Sequence, residues 1–428
     1  MALNTPKSLR NQMMYQVFVR NYSREGTFAQ VENDLDRIKA LGTDIVWLMP
    51  IHPIGEKNRK GTLGSPYAIS DYRAVNPEFG SLDDFKSLVA AIHAKGMKCI
   101  IDVVYNHTAP DSVLRKEHPE WFYHKPDGSF GNRVGDWTDI IDLDYSNKEL
   151  WRYQIDTLKT WAKIVDGFRC DVAPLIPIEF WEQARAEVEL VRPGAIWLSE
   201  SVEPGFIIYM RSRGLTALSD SEIYRAFDLS YDYDCYGELK NYFYGKGTLA
   251  DYAEAINRQE YTYPDNYVKL RFLENHDQTR ARFFIPDIDV LKSWTAFMFF
   301  QKGMPLLYAG QEKAVSHLPS LFDKDTVIWD GEETVDLSGL IAKLSQIKRG
   351  KLFADSVYRV EAAGENTLTA SHEKDGEKAV GVFPFKKETS FVPVDLPDGV
   401  YSDLLGGDKK EVFRGGVICS GEAMILHN

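Results

Sequence analysis

The fold is decided by one stretch of the chain, Val165-Asp166-Gly167-Phe168-Arg169-Cys170-Asp171-Val172. Its apolar residues predict a buried strand. Because side chains along a strand alternate between two faces, Arg169 and Asp171 point the same way. A buried charge must be paired or hydrogen-bonded. The two residues are therefore either a structural ion pair at a strand end or a catalytic carboxylate whose pKa an arginine lowers. The stretch by itself leaves both interpretations open.

Seven other apolar stretches predict strands, and amphipathic segments between most of them predict helices. These strands are expected at residues 14–19, 44–51, 98–106, 195–199, 226–230, 267–273 and 304–308, with the opening stretch as the fourth in chain order. A helix is predicted over residues 28–41, and another after Ser81, with Phe85, Leu88, Val89 and Ile92 on one face. Eight strands alternating with helices are typical of a (β/α)8 TIM barrel in the α/β class. A doubly wound sheet would carry a Gly-rich phosphate loop after an early strand, and this sequence has none.

Two further regions depart from the alternating pattern. Residues 107–146, after the third strand, lack sustained periodicity, which predicts a short insertion subdomain. Beyond residue 350, short alternating stretches separated by Gly and Asp predict a C-terminal antiparallel β-sandwich domain. The predicted division is a barrel of residues 1–106 and 147–350, an insertion of residues 107–146, and a C-terminal domain of residues 351–428.

Composition excludes several classes of protein. The net charge of -13 argues against binding to nucleic acid or to anionic membranes. No run approaches the roughly 18 apolar residues of a membrane span. The four cysteines lack the spacing of a metal site, and residues 1–12 lack the apolar core of a signal peptide. We therefore expect a cytoplasmic protein, and its oligomeric state stays open.

Polar residues gather where the predicted strands end, which is the active-site face of such a barrel. They are Asn106 and His107 after the third strand, Arg169 and Asp171 on the fourth, Glu200 after the fifth, and His276 and Asp277 after the seventh. This convergence favours the catalytic interpretation of Asp171. Cleavage of a glycoside needs one carboxyl group that donates a proton and another that attacks or activates water. We expect Asp171 to stay ionised beside Arg169, and the pKa of Glu200 to be raised by its acidic neighbours, as a proton donor requires.

Four segments resemble, in order, the signature regions of the α-amylase family of glycoside hydrolases. They are Asp102-Val-Val-Tyr-Asn106-His107, Asp166-Gly-Phe-Arg169-Cys-Asp171, Ser199-Glu200-Ser201 and Glu274-Asn275-His276-Asp277. The resemblance extends to Tyr67 in Ser-Pro-Tyr-Ala-Ile-Ser-Asp71 and to residues 303–310 around the eighth strand. It covers nearly the whole chain.

The resemblance implies a retaining double displacement at α-glucosidic bonds. It implies that Asp171 is the nucleophile, Glu200 the general acid and base, and Asp277 the carboxylate that holds sugar hydroxyls. It also implies a subsite for the reacting glucose, lined by Tyr67, His107, Arg169 and His276. The alternative for each residue is a purely structural role.

The chemistry itself requires no cofactor, but the resemblance leaves calcium open. Members of the family that hold calcium use the asparagine of the first region, here Asn106, with ligands from the insertion. The available carboxylates are Asp136, Asp139, Asp142 and Asp144. Carboxylates in such loops are more often solvated, so Asn106 is a weak candidate for a calcium ligand.

Two departures from the family pattern bear on specificity. Many extracellular amylases have a Lys-His pair just beyond the nucleophile, whereas residues 172–177 here are apolar or proline. Exo-acting relatives often have an aspartate where Gly64 stands. The first departure makes that part of the cleft more apolar and leaves the acceptor preference open. The second favours cleavage within short maltodextrins over removal of single terminal glucoses.

Other residues have both a functional and a structural interpretation. Five aromatic residues could either stack on sugar rings or pack in the core. They are Trp121, Tyr123, Phe130 and Trp137 in the insertion, and Phe206 after the fifth strand. The basic cluster at residues 57–60 is interpreted as a solvated loop.

We therefore predict a hydrolase of soluble α-glucan oligosaccharides. One rival keeps the mechanism but transfers the glycosyl group to another sugar, as transferases and isomerases of the family do. A rival of another class is a non-catalytic sugar-binding or scaffold protein, which would typically have lost part of the carboxylate set.

Overall fold

Eight parallel strands close into a barrel in the computed structural model, which describes residues 4–135 and 137–428. The first ten strands are β1 (Met14–Val17), β2 (Ile45–Leu48), β3 (Lys98–Val103), β4 (His107–Thr108), β5 (Ile141–Asp142), β6 (Gly167–Cys170), β7 (Ile196–Ser199), β8 (Leu229–Tyr231), β9 (Val268–Arg271) and β10 (Met304–Tyr308). All of these except β4 and β5 form the barrel in chain order, and β10 pairs with β1 to close it. The predicted TIM barrel is confirmed.

Helices connect and surround the strands. They are α1 (Val19–Tyr22), α2 (Phe28–Asn33), α3 (Leu35–Ala40), α4 (Leu82–Ala94), α5 (Val113–Glu117), α6 (Lys148–Ala162), α7 (Ile178–Glu189), α8 (Pro204–Ser212), α9 (Asp220–Ile223), α10 (Tyr233–Phe243), α11 (Leu249–Thr262), α12 (Ala281–Phe284), α13 (Ile288–Phe300) and α14 (Ser338–Lys348). Ser81 caps α4 by accepting a hydrogen bond from the Asp84 amide, and the four apolar residues predicted on one face of α4 are all buried.

Two predictions of local structure need correction. The helix predicted over residues 28–41 is two helices, α2 and α3, divided at Asp34. The carboxylate of Asp34 accepts hydrogen bonds from Arg37, and its side chain also contacts the Tyr22 hydroxyl, so it is committed to tertiary partners. The strand predicted at residues 226–230 lies at β8, because Ala226 and Phe227 belong to a buried turn that follows α9.

The insertion after β3 packs against the barrel, and most of its buried apolar residues join the main hydrophobic core. In it β4 and β5 form an antiparallel pair in which His107 faces Asp142. Trp121 and Phe122 are buried. The pairing brings the end of the insertion back to the point where β3 ends.

The C-terminal region forms one antiparallel sheet of eight strands. These are β11 (Val357–Ala362), β12 (Thr367–Lys374), β13 (Glu377–Pro384), β14 (Ser390–Pro393), β15 (Gly399–Asp403), β16 (Lys409–Phe413), β17 (Gly416–Cys419) and β18 (Met424–His427). The sheet packs against α13 of the barrel, where the ring of Phe385 stacks on Trp294 with 3.7 Å between centroids. Among the described helices, none has the length and apolar character that crossing a lipid bilayer requires.

Gly167 is the first residue of β6, at a position where a larger residue does not fit. A Cβ atom there would lie 2.1 Å from the carbonyl oxygen of Ile196 in the neighbouring β7. We expect Gly167→Ala to lower the free energy of unfolding by about 3 kcal/mol, since overpacking against backbone forces the two strands apart. Urea unfolding followed by tryptophan fluorescence measures the loss.

Gly339 of α14 provides the matched control, because a Cβ there would meet no described atom within 4 Å. Gly339→Ala should unfold at the same or a higher urea concentration than the parent, because alanine favours helix over glycine by up to about 1 kcal/mol. Equal midpoints for the two variants would show that the β6–β7 contact does not constrain the barrel.

Candidate active site

The predicted site residues meet at the carboxyl ends of the barrel strands. Six of the seven line one cavity of about 510 Å³: Tyr67, His107, Asp171, Glu200, His276 and Asp277. The seventh, Arg169, is fully buried and contacts two of them. Residues distant in sequence are brought together because β3, β6, β7 and β9 all end at this face.

Arg169 is the shared partner of three carboxylates. Its Nη1 donates to Asp102 Oδ1 at 2.9 Å and to Asp171 Oδ1 at 2.8 Å. Its Nη2 lies 2.9 Å from Glu200 Oε1, and its Nε is 3.3 Å from the Tyr231 hydroxyl. Because Nη1 and Nη2 belong to one small guanidinium group, the carboxyl groups of Asp171 and Glu200 lie close together.

The two central carboxyl groups have raised pKa values. Burial raises the pKa of Asp171 to about 6, because the loss of solvent and the like charge of Asp102 outweigh the opposing charge of Arg169. This differs from the expectation that Arg169 would lower that pKa. Burial also raises the pKa of Glu200 to about 8, against Arg169 and with Asp171 and Asp277 as like charges. At neutral pH the site therefore favours an ionised Asp171 beside a protonated Glu200.

A strained turn after Asp171 orients Glu200. Val172 has φ 35° and ψ 42°, a left-handed conformation that a β-branched residue adopts at a cost of about 1–3 kcal/mol. Its amide donates to Glu200 Oε2 at 2.8 Å. The turn thus fixes one oxygen of Glu200 while Arg169 faces the other, an arrangement that no local sequence pattern predicts.

Asp277 and the residues beside it form a second group. The pKa of Asp277 is lowered, because the charges of His276 and Arg169 outweigh desolvation. The His276 Nε2 atom lies 3.0 Å from Asp277 Oδ2 and 2.7 Å from the Tyr67 hydroxyl, and the Tyr67 ring stacks on His276. His276 Nδ1 is 2.7 Å from Gln16 Nε2 of β1, a contact that sequence reasoning missed.

His107 reaches the same centre from the insertion. Its Nε2 lies 4.0 Å from Asp171 Oδ2, and its Nδ1 lies 3.2 Å from Asn106 Nδ2. Burial lowers the pKa of His107, so a neutral imidazole is favoured. A neutral histidine at this distance can donate a hydrogen bond to a sugar hydroxyl placed beside Asp171.

Further residues line the cavity, and the sequence pattern indicated a functional role for them less clearly. Trp137 and Phe206 line it, so their rings are available to a sugar. Glu203 and Tyr233 line it too, and both follow closely on β7 and β8, so their strand-end positions could have identified them. Lys60, predicted to be solvated, lines the cavity and lies 3.0 Å from the buried Asp139.

The other aromatic residues of the insertion contact neighbouring side chains. Trp121 is buried, and its ring stacks on His118. Phe130 packs against Phe122 and His124, and Tyr123 faces the Arg133 guanidinium. For these three, packing is the interpretation that the contacts favour.

The proposed calcium ligands face basic side chains. Asp139 is paired with Lys60, Asp142 accepts a hydrogen bond from the Arg133 amide and lies 3.5 Å from its Nη1, and Asp144 lies 3.9 Å from the same guanidinium. Asp136 lies outside the described residues. Because the described carboxylates already have cationic partners, they do not fit a calcium ion well.

A second acidic cluster also has cationic partners. Ligand atoms of Asp232, Asp234 and Cys235 come within 4.8 Å of one another. Arg271, however, donates to Asp232 at 2.7 Å, and Lys269 lies 2.8 Å from Asp234. These ion pairs neutralise the cluster, so it offers no free charge to a metal.

Comparison with known proteins agrees with this geometry. The family model described as "Alpha amylase, catalytic domain" matches residues 6–350, and the model of the bacterial α-amylase C-terminal domain matches residues 359–426. The crystal structure of an α-amylase from Lactobacillus plantarum is 49% identical, covers 99% of this chain and 100% of its own, and has a TM-score of 0.95. That of the noncanonic maltogenic α-amylase AmyB from Thermotoga neapolitana is 34% identical over 98% of this chain and 99% of its own, with a TM-score of 0.88.

A curated relative adds a second kind of activity. The α-1,4-glucan:maltose-1-phosphate maltosyltransferase of Myxococcus xanthus is 32% identical over 57% of this chain and 38% of its own length. The chain spans 60% or less of the first curated relatives that it matches. The catalytic-domain match nevertheless covers most of the chain, and the barrel carries the expected carboxylates at its strand ends. This chain belongs to the α-amylase family.

Proposed function

We propose that the chain is a retaining α-glucan hydrolase that cleaves α-1,4-glucosidic bonds of soluble malto-oligosaccharides. The observation that carries this proposal is the shared contact of Asp171 and Glu200 with one guanidinium, that of Arg169, at the wall of one cavity. Two carboxyl groups that contact one guanidinium and line the same cavity suit the short separation that a double displacement needs.

The pKa values assign the two roles. Asp171, with a pKa of about 6, is ionised at neutral pH and attacks the anomeric carbon. Glu200, with a pKa of about 8, is protonated and donates its proton to the leaving glycosidic oxygen. Asp277, whose pKa is lowered, stays ionised and accepts hydrogen bonds from sugar hydroxyls.

The second half of the reaction follows from the same charges. Once Asp171 is esterified to the sugar it carries no charge, and one of the groups that raise the pKa of Glu200 is removed. The pKa of Glu200 then falls, so the carboxylate accepts a proton from the attacking water. Hydrolysis of the ester returns Asp171 as a carboxylate.

Loss of the nucleophile is the direct test. We expect Asp171→Asn to lower kcat/KM on an aryl α-maltoside by about 10³-fold or more, since covalent catalysis contributes several kcal/mol. Asp166→Asn is the control: Asp166 lies in the same stretch but contacts the Cys99 amide and His93, outside the cavity. It should keep at least about a tenth of the activity. A loss in Asp171→Asn of less than about tenfold would mean that the nucleophile is another group, whereas an inactive parent would favour the scaffold rival.

The pH dependence follows from the two raised pKa values. Below the pKa of Asp171 at about 6 the nucleophile becomes protonated, so kcat/KM falls as the pH drops. Above the pKa of Glu200 at about 8 the donor loses its proton, so kcat/KM falls as the pH rises. We expect a bell-shaped profile with limbs near these values, which belong to the interacting pair as a whole. A profile that is flat from pH 5 to 9 would contradict the assignment.

The cleft supports an oligosaccharide substrate. A second hollow of about 550 Å³ shares Glu203 and Tyr233 with the catalytic cavity and extends along α10 to Tyr244, which is 57% exposed. Gly237 lies in the middle of α10 and lines the hollow, and a Cβ there would meet no described atom within 4 Å. Glycine inside a helix costs roughly 0.5–1 kcal/mol relative to alanine, and no described neighbour requires it here. The absence of a side chain at Gly237 keeps this part of the hollow open to additional glucose units.

Filling that hollow should penalise long substrates. Gly237→Trp is expected to lower kcat/KM for maltoheptaose by about 5- to 20-fold while maltotriose is cleaved as before, which is the effect of losing about 1–2 kcal/mol of binding. The matched control is Gly339→Trp on the exposed start of α14, which should change neither substrate. An equal change for both substrates in Gly237→Trp would show that the hollow does not bind the chain.

Transfer to a sugar acceptor is the second candidate. It is favoured by the apolar side chains of Ile140, Val172 and Phe206, which line the cavity near Glu200 and do not bind water. Maltosyltransferase relatives point the same way. Product analysis of maltotriose digests with and without added labelled maltose separates the two, since label in longer products requires transfer. Glucose and maltose as the sole products would support hydrolysis.

We propose the cytoplasm as the compartment. All four cysteines lie in the described part of the chain and are free and buried, which suits a reducing environment.

A further inference from the structure

The junction between the insertion and the barrel contains one arginine among several oxygen ligands. The backbone amide of Arg133 donates to Asp142 Oδ2 at 2.7 Å, and its Nη1 donates to the Leu143 carbonyl at 3.1 Å. Nη1 also lies 3.5 Å from Asp142 Oδ2, and Nη2 lies 3.9 Å from Asp144 Oδ1. The guanidinium faces the Tyr123 ring at 4.4 Å, which holds it in place.

We propose that the Arg133 guanidinium takes the place of a calcium ion at this junction. The carboxylates, the carbonyl and the nearby Asn106 are the oxygen ligands that a calcium ion prefers. Here the positive charge comes from the chain itself, and Lys60 neutralises Asp139 in the same way. This inference concerns how the insertion is held, and the stability measurements that test it do not depend on the proposed function.

The same contacts make Arg133 a positioning residue for the catalytic centre. Asp142 pairs with His107 across β4 and β5, and the Leu143 amide donates to the Asn106 carbonyl at 3.0 Å. His107 in turn lies 4.0 Å from Asp171. The guanidinium therefore fixes the strand that holds His107 against the nucleophile.

Charge balance supports a resident cation. Asp142 is buried, and burial raises its pKa, while the amide and the guanidinium of Arg133 oppose that rise. Arg133 and both carboxylates line one cavity of about 320 Å³, and loss of the guanidinium would leave Asp142 without its cationic side-chain partner. An uncompensated buried carboxylate is strongly destabilising.

One carboxylate oxygen at the junction could bind a metal ion. Asp142 Oδ1 is buried and has no hydrogen-bond partner among the described residues. It is the oxygen on which a bound calcium ion would depend. Calcium binding to the parent protein is therefore the competing outcome.

The test compares melting temperatures in 5 mM CaCl₂ and in 5 mM EDTA. The parent should melt within about 1 °C in the two buffers. Arg133→Ala should melt at least about 3 °C lower than the parent in EDTA and should recover part of that loss in calcium, which then occupies the vacated position. It should also lose kcat in EDTA through His107.

Arg152→Ala is the control, because Arg152 is an exposed residue of α6, away from the junction carboxylates. It should match the parent in both buffers. The proposal is overturned if calcium raises the melting temperature of the parent by more than about 3 °C, if Arg133→Ala melts like Arg152→Ala, or if calcium fails to stabilise Arg133→Ala.

Discussion

The buried charge of Arg169 is the interaction on which the rest of the site depends. A single guanidinium faces Asp102, Asp171 and Glu200 inside the barrel, so the centre holds more negative than positive charge. Burial makes every one of these charges expensive, and the excess is relieved by keeping a proton in the site. The pKa values of Asp171, Glu200 and Asp102 are raised chiefly by burial, and their like charges add to the rise. A site that stores a proton beside an ionised carboxylate is prepared for acid and nucleophilic catalysis together.

The barrel sets this arrangement through strand register. In the β3–β6 pair Asp102 lies directly opposite Arg169, and in the β6–β7 pair Cys170 lies opposite Ser199. Asp171 and Glu200 each follow those last paired residues by one position, so the register alone brings them to the same level. Gly167 permits the close approach of β6 to β7 at the other end of the strand. Stability of the strand pair and geometry of the site therefore rest on the same contacts.

In the insertion, too, contacts that stabilise the fold also position side chains of the cavity wall. Its buried carboxylates are held by Lys60 and Arg133, which come from loops, and its β4–β5 pair places His107 4.0 Å from Asp171. Loops therefore form this wall of the cleft, and the ion pairs of Lys60 and Arg133 hold them in position. Loops on a rigid barrel commonly carry the residues that contact a ligand, and here their positions depend on these ion pairs.

The sequence by itself determined the barrel, because eight apolar stretches in alternation with amphipathic ones have few other ways to bury their surface. It also determined which side chains converge, since parallel strands end at one face and Asp171, Glu200 and Asp277 stand at those ends. Tertiary structure alone decided the balance of charges. The sequence predicted that Arg169 lowers the pKa of Asp171, but that arginine is shared among three carboxylates and burial prevails. It alone also decided the contacts of Gln16, Lys60 and Arg133, because they join segments that no local periodicity relates and depend on how the loops pack.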